Sequence, residues 1–204
     1  MKLISTAIAA PLLFEVAAAI LGGQVVPIGT KTYTAGLRTN RGDTSFCGGA
    51  LNSPTHVLTS AICEQMGINY VSVGSHYVNG TQGGEEIKVF KVQIHPNYNP
   101  NVSLAWDYAV VTLEKPSKFT PVKVANTDSE FQEGMSTTSM GWGITTCEEG
   151  DYSLELRGVA MEAWDSKNCS EIYIDHPPSQ LCVGGVAGEG TAPGDMGAPL
   201  IKEN

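Results

Sequence analysis

Basic residues are scarce in this sequence: 12 lysines and arginines stand against 21 aspartates and glutamates, for a formal net charge of -9. A surface of that sign is not attracted to a phosphate backbone or an anionic lipid surface, which argues against nucleic acid as a partner. After residue 19 no stretch approaches the ~20 apolar residues a membrane helix needs, so no membrane association is expected once the N-terminal segment is removed. There is no Cys-x-x-Cys and no nearby pair of histidines to hold a metal; neither metal nor cofactor is expected. Internal repeats and low-complexity tracts are missing too. What remains is a globular composition, 42% hydrophobic and 16% charged over 204 residues, enough to bury one core or two small ones.

Residues 1–19 begin with Lys2, run through the apolar Leu3 to Phe14 and end on Ala17-Ala18-Ala19. A positive start, an apolar middle and a small-residue end make a secretory signal peptide; the alternative, a buried helix, is interrupted by Pro11. The expected location is outside the cell, where cysteines oxidise. Cys47 and Cys63 flank two extended apolar segments joined by a turn at Asn52-Ser53-Pro54, so a hairpin brings their ends together. Cys169 and Cys182 form a second plausible pair, which leaves Cys147 free. Three Asn-x-Ser/Thr sequons, at Asn79, Asn101 and Asn168, are candidate glycan sites. Asn79 precedes Gly80 in a turn signal, and Cys169 inside the third sequon hinders its modification.

Short runs rich in Val, Ile, Thr and Tyr, broken by Gly, Pro, Asn or Asp, make this an all-β chain. Candidate strands are Thr32 to Arg38, Phe46 to Leu51, His56 to Ser60, Tyr70 to Ser75, Ile87 to Ile94 and Ala109 to Leu113, a set able to close into a barrel. A polar connector, 114–121, follows. Beyond it come Ser136 to Trp142, Leu154 to Glu162, Leu181 to Val183 and Pro199 to Lys202, with a short helix over Asp165 to Tyr173 that Asp165 or Ser166 would cap.

Five motifs stand in one order: Ile20-Leu21-Gly22-Gly23, Phe46-Cys47-Gly48-Gly49-Ala50-Leu51, Asp107-Tyr108-Ala109-Val110-Val111-Thr112-Leu113, Met140-Gly141-Trp142-Gly143, and Gly194-Asp195-Met196-Gly197-Ala198-Pro199-Leu200. In that order they resemble the chymotrypsin-like, or trypsin-like, serine proteases across nearly all of residues 20–204. The resemblance implies a double β-barrel: a first barrel over 20–113, the connector 114–121 and a second barrel over 122–204. Because the family continues past the point matched by Asn204, the second barrel is expected to be truncated at its C-terminal end, and Ala192 stands where the family has a cysteine bonded to that missing part.

Acyl transfer by this family needs a hydroxyl to attack, an imidazole to take its proton and a carboxylate to orient the imidazole. Leu58-Thr59-Ser60-Ala61-Ile62-Cys63 resembles the segment of the histidine base, with Ile62 in its place, and Met196 holds the position of the serine. Only Asp107 remains, and none of His56, His76, His95 and His176 stands at the motif position. The resemblance therefore implies no catalytic residues and no proteolysis. Backbone donors around Gly194 and Met196 would persist, and Gly190, at the base of the family's specificity pocket, offers no charge to select a basic side chain. In the family the aspartate matching Asp195 pairs with the newly freed N-terminal amine. Cleavage after Ala19 makes Ile20 that amine directly.

Lys31-Thr32-Tyr33-Thr34-Ala35-Gly36-Leu37-Arg38-Thr39, Ser53-Pro54-Thr55-His56-Val57-Leu58-Thr59, Leu113-Glu114-Lys115-Pro116-Ser117-Lys118-Phe119 and Pro199-Leu200-Ile201-Lys202-Glu203-Asn204 are similar to the glucanase inhibitor proteins of oomycete plant pathogens. That resemblance implies a secreted effector in the plant apoplast that binds host endo-β-1,3-glucanases and suppresses release of glucan elicitors. Acidic charge would steer it toward a basic glucanase. Two other functions compete: a truncated, inert protease homologue, and a weak residual hydrolase.

Overall fold

The computed structural model describes residues 20–80, 82–101, 105–127, 131–146, 150–172, 180–184 and 186–202. The expected signal segment 1–19, Cys147, His176 and the side chain of Asn168 lie outside the described residues. In chain order the elements are β1 (Gln24–Val25), β2 (Thr34–Arg38), β3 (Cys47–Ser53), β4 (His56–Thr59), a 3-10 helix (Ala61–Met66), β5 (Tyr70–Val73), β6 (Glu85–Ile94), β7 (Ala109–Leu113), β8 (Ser136–Gly141), β9 (Arg157–Trp164), α1 (Ser166–Ile172), β10 (Cys182–Gly184) and β11 (Leu200–Lys202). Among the described residues no helix is long and apolar enough to cross a membrane.

The six strands anticipated in the first half close on themselves in the order β2-β3-β4-β7-β6-β5, which leaves that sheet no unpaired edge. Alternation does the sorting. In β7 the residues Ala109, Val111 and Leu113 are buried and the two between them are not, as the period of two in a strand requires. Their inward neighbours include Val57 on β4, Leu37 on β2, Val71 on β5 and Ile87 on β6. Register shifts between Leu51 and Ser53 and between Val89 and Lys91 bend β3 and β6 so that the ring can close.

One charged side chain is sealed into this barrel. Arg38 is wholly buried; its guanidinium donates to the carbonyl of Asp43 at 2.6 Å, the carbonyl of Val78 at 2.7 Å, the hydroxyl of Ser45 at 2.9 Å and that of Ser72. Burial pulls its pKa down to about 10, against the attraction of Glu86 and Asp43.

The second half is a five-stranded sheet, β1-β9-β8-β11, with β10 also paired to β9. This open sheet does not establish the truncated second barrel expected from the sequence. Strand ends moved by one to three residues: Arg157–Trp164 replaces Leu154 to Glu162, because Ser153 to Leu156 turns back to the first barrel, where Val78 donates to the Leu154 carbonyl at 3.0 Å and Leu156 to that of His76 at 2.7 Å. The sequence did not signal β1, too short to show a period, or the 3-10 helix, which stops at Gly67, φ 78°, whose N–H reaches the Glu64 carbonyl.

Disulfides join Cys47 to Cys63 and Cys169 to Cys182. The first ties β3 to the 3-10 helix, the second α1 to β10. Asn79 and Asn101 are exposed; Gly80, φ 67°, closes the turn after Asn79 by donating to the Tyr77 carbonyl at 2.9 Å.

Candidate functional site at the junction of the two halves

The two halves meet along glycines. A Cβ on Gly48 of β3 would lie 2.8 Å from Cα of Ala198, so only glycine lets the turn 195–198 come up against the first barrel. There Gly48 donates to the Met196 carbonyl at 2.8 Å, and Thr59 Oγ1 donates to the Gly48 carbonyl at 2.7 Å. Gly197 turns the chain at φ 75° in the same contact. Met196 is thereby delivered to the end of β4, with its carbonyl 3.7 Å from Sγ of Cys63 and its side chain 41% exposed.

Asp107 precedes β7, which runs antiparallel to β4, and so its carboxylate meets the residues that follow β4. The Ile62 backbone N–H donates to its Oδ1 at 2.9 Å, and the Ser60 hydroxyl to its Oδ2 at 2.5 Å. Ile62 itself packs partly against the barrel core. The three positions singled out in the sequence, Ile62, Asp107 and Met196, thus come together where the halves touch. Ile62 contributes a hydrocarbon side chain and Met196 a thioether. Nearby, the Tyr98 hydroxyl is buried without a hydrogen-bond partner. Burial and the negative charge of Asp107 push its pKa up.

The described histidines stand elsewhere. His56 opens β4, with Nδ1 2.9 Å from the Ser53 hydroxyl. His76 is buried and lies 3.1 Å from the Glu155 carboxylate, while its carbonyl accepts from Trp142 Nε1 at 3.0 Å. His95 follows β6.

Behind Met196, Asp195 is turned inward. It is 5% exposed, and its two oxygens accept from Gly143 N–H at 2.7 Å and Ala192 N–H at 2.9 Å. A Cβ on Gly141 or Gly143 would stand 2.2 or 2.4 Å from this carboxylate, which is the physical reason for the Gly-Trp-Gly spacing. Burial raises the Asp195 pKa to about 6, against the two backbone bonds that lower it. Asp195 and Met196 also line a cavity of about 540 Å³, walled by Met161, Val183, Ala198 and Leu200. Ile20 is fully buried beside Val159 and Met161, and the next residue, Leu21, bridges Gly190. One feature carried no sequence signal: the Tyr152 ring lies over Gly194, 2.4 Å from where a Cβ would be.

A closed barrel joined through glycines to a second sheet, with an aspartate-bearing strand and a Gly-Asp-x-Gly turn meeting at the junction, is the arrangement of trypsin-like serine proteases. The family model Trypsin matches residues 20–204, and the chain belongs to that family, as a serine protease homologue. Neuropsin, a serine protease expressed in the limbic system of mouse brain, has the same fold: TM-score 0.79 and 26% identity, covering 90% of this chain and 83% of that one. Among curated proteins the chain is similar to glucanase inhibitor protein 2 of Phytophthora infestans, 47% identical over all of this chain and 82% of the relative. Glucanase inhibitor protein 2 of Phytophthora sojae is 46% identical over 91% of this chain, which spans 64% of that relative's length.

Proposed function

We propose that this chain is a secreted, non-proteolytic inhibitor that binds endo-β-1,3-glucanases of a host plant in the apoplast and so suppresses the release of glucan elicitors. The observation that carries this is the 47% identity, along the whole chain, to a protein named for glucanase inhibition. Ile62 and Met196 support the non-proteolytic part: triad chemistry needs an imidazole beside the carboxylate and a hydroxyl beyond it. Here Asp107 is bonded to a backbone N–H and the Ser60 hydroxyl. Two disulfides are compatible with an oxidising, extracellular destination.

In this reading residues 1–19 are removed as a signal and Asn79 and Asn101 carry glycans. Residues 20–113 and 122–204 act as two β units around the connector 114–121. Cleavage after Ala19 also frees the Ile20 amine as a counter-charge for Asp195. Titration of the purified secreted protein into an endo-β-1,3-glucanase assay tests the function: saturable loss of glucan hydrolysis is expected, and undiminished hydrolysis by folded protein refutes it. N-terminal sequencing tests the processing step, with Ile20 as the expected first residue.

A further inference from the structure

Apart from free thiols, thioethers are the side chains that a peroxide oxidises first, and access to solvent decides which of them reacts. The four described cysteines are already joined as disulfides, so the methionines are the reactive sulfurs among the described residues. Met66 is 39% exposed and Met196 41%, against 0% for Met140 and 7% for Met161. Met66 ends the 3-10 helix and belongs to none of the buried clusters. Met196 differs from it in place, because it stands in the turn through which the two halves touch.

The turn is tightly held. The Met196 carbonyl accepts from the Gly48 N–H at 2.8 Å, the Ala198 N–H donates to the Asp195 carbonyl at 2.9 Å, and a Cβ on Gly48 would lie 2.8 Å from Cα of Ala198. The Met196 side chain is reached by water and also lines the cavity of about 540 Å³, whose wall includes the apolar Met161, Val183, Ala198 and Leu200. Asp195 lies on the same wall, with its two oxygens already accepting from Gly143 and Ala192.

Methionine sulfoxide is polar and chiral where the thioether is apolar and adaptable. An oxygen on the Met196 sulfur either faces Met161, Val183 and Leu200, where a desolvated acceptor is costly, or draws the side chain out to water and leaves that wall without its contact. Both outcomes weaken the packing behind the turn that carries the bond to Gly48. Oxygen on Met66 changes no buried cluster and leaves the junction as it is.

We propose that Met196 is an oxidation site at which a peroxide loosens the junction of the two halves. The sulfur attacks one peroxide oxygen, the O–O bond breaks, and the proton of the transferred oxygen passes to the departing hydroxide. Thioether and hydrogen peroxide thus give sulfoxide and water, with the sulfur oxidised by two electrons and the peroxide reduced by two. The site is independent of glucanase inhibition. The experiment treats the purified secreted protein, Met196→Leu and Met66→Leu with hydrogen peroxide, and reads peptide masses, exchange of the Gly48 amide by NMR, and the thermal midpoint. In the wild type, Met196 and Met66 are expected to gain oxygen about tenfold or more faster than Met140 and Met161. Oxidation is expected to speed exchange of the Gly48 amide about tenfold and to lower the midpoint by about 3 °C in the wild type and Met66→Leu, with neither change in Met196→Leu. Methionine sulfoxide reductase is expected to reverse both. Met196 that stays reduced while Met66 is converted overturns the site. Met196 converted with the Gly48 amide and the midpoint unmoved overturns the loosening, as does an equal change in Met196→Leu.

Discussion

The first barrel and the second sheet are stabilised differently. Among the described residues the barrel gathers Leu37, Leu51, Val57, Val71, Val111 and their neighbours into one cluster of 12 buried side chains. The second half divides into a cluster of five around Met140 and Trp142, which borrows Val78 from the first half, and one of three around Ile20. Ring closure lets six short strands face one another across a single interior. The open sheet instead depends on what lies at its border: the glycine contact between Gly48 and Ala198, the bonds between His76, Trp142 and Leu156, and a carboxylate buried behind Met196. In this chain the self-contained half carries a buried guanidinium, Arg38, and the exposed stack of His95 on Trp106, and the dependent half carries the buried carboxylate of Asp195.

The strongest way to break this contrast is to open the barrel from within. Arg38→Met removes the donor to the Asp43 carbonyl and to the buried Ser72 hydroxyl, and one of the donors to the Val78 carbonyl, and is expected to cost about 3 kcal/mol or more in urea denaturation. A loss under about 1 kcal/mol would mean those groups find water and the barrel is less sealed than its burial indicates.

Next come the disulfides, whose partners are separated by 16 residues (Cys47–Cys63) and 13 residues (Cys169–Cys182). Chain entropy assigns each about 3 kcal/mol. Paired serine substitutions that give equal losses support that account, whereas a smaller loss for Cys47 and Cys63 would show that ring closure already supplies the constraint.

The buried acid of the second half gives a pH signature. Asp195 holds its proton more tightly when folded, at about 6 against an ordinary value of 3.8. Its contribution is therefore fully favourable below 3.8 and declines as pH rises to about 6, by some 2–3 kcal/mol in all. Thermal melts of uncut chain across that range are expected to show the decline. In protein beginning at Ile20, a free amine beside Asp195 would reverse it.

Gly48→Ala probes the junction alone. The new methyl meets the backbone of Ala198, with an expected cost of about 1–3 kcal/mol read from the thermal midpoint. Phe90→Ala, on the barrel's outside, is expected to change stability by less than about 0.5 kcal/mol.

Much of this molecule is legible without coordinates. The barrel strands are visible because alternation survives in segments such as Ala109–Leu113, and the hairpin around Asn52-Ser53-Pro54 places Cys47 near Cys63. The positions Ile62, Asp107 and Met196 are identifiable from the residues flanking them, since the glycines and apolar neighbours are required by packing whether or not chemistry is performed. The burial of Asp195, the ring of Tyr152 over Gly194 and the stack of His95 on Trp106 left no trace in the order of residues. Each joins segments distant in the chain, or depends on a backbone angle that neighbouring residue types do not announce.

The sequence by itself determined the strand periodicity, the acidic balance and the residue types available at Ile62, Asp107 and Met196, because these depend on local pattern and composition. Tertiary structure alone decided that Asp107 is engaged by Ser60 and the Ile62 N–H, that Asp195 is buried enough to titrate near 6, and that Trp106 faces solvent on a left-handed backbone. Solvation and contact across the fold set all three, and neither is a property of any stretch of chain taken alone.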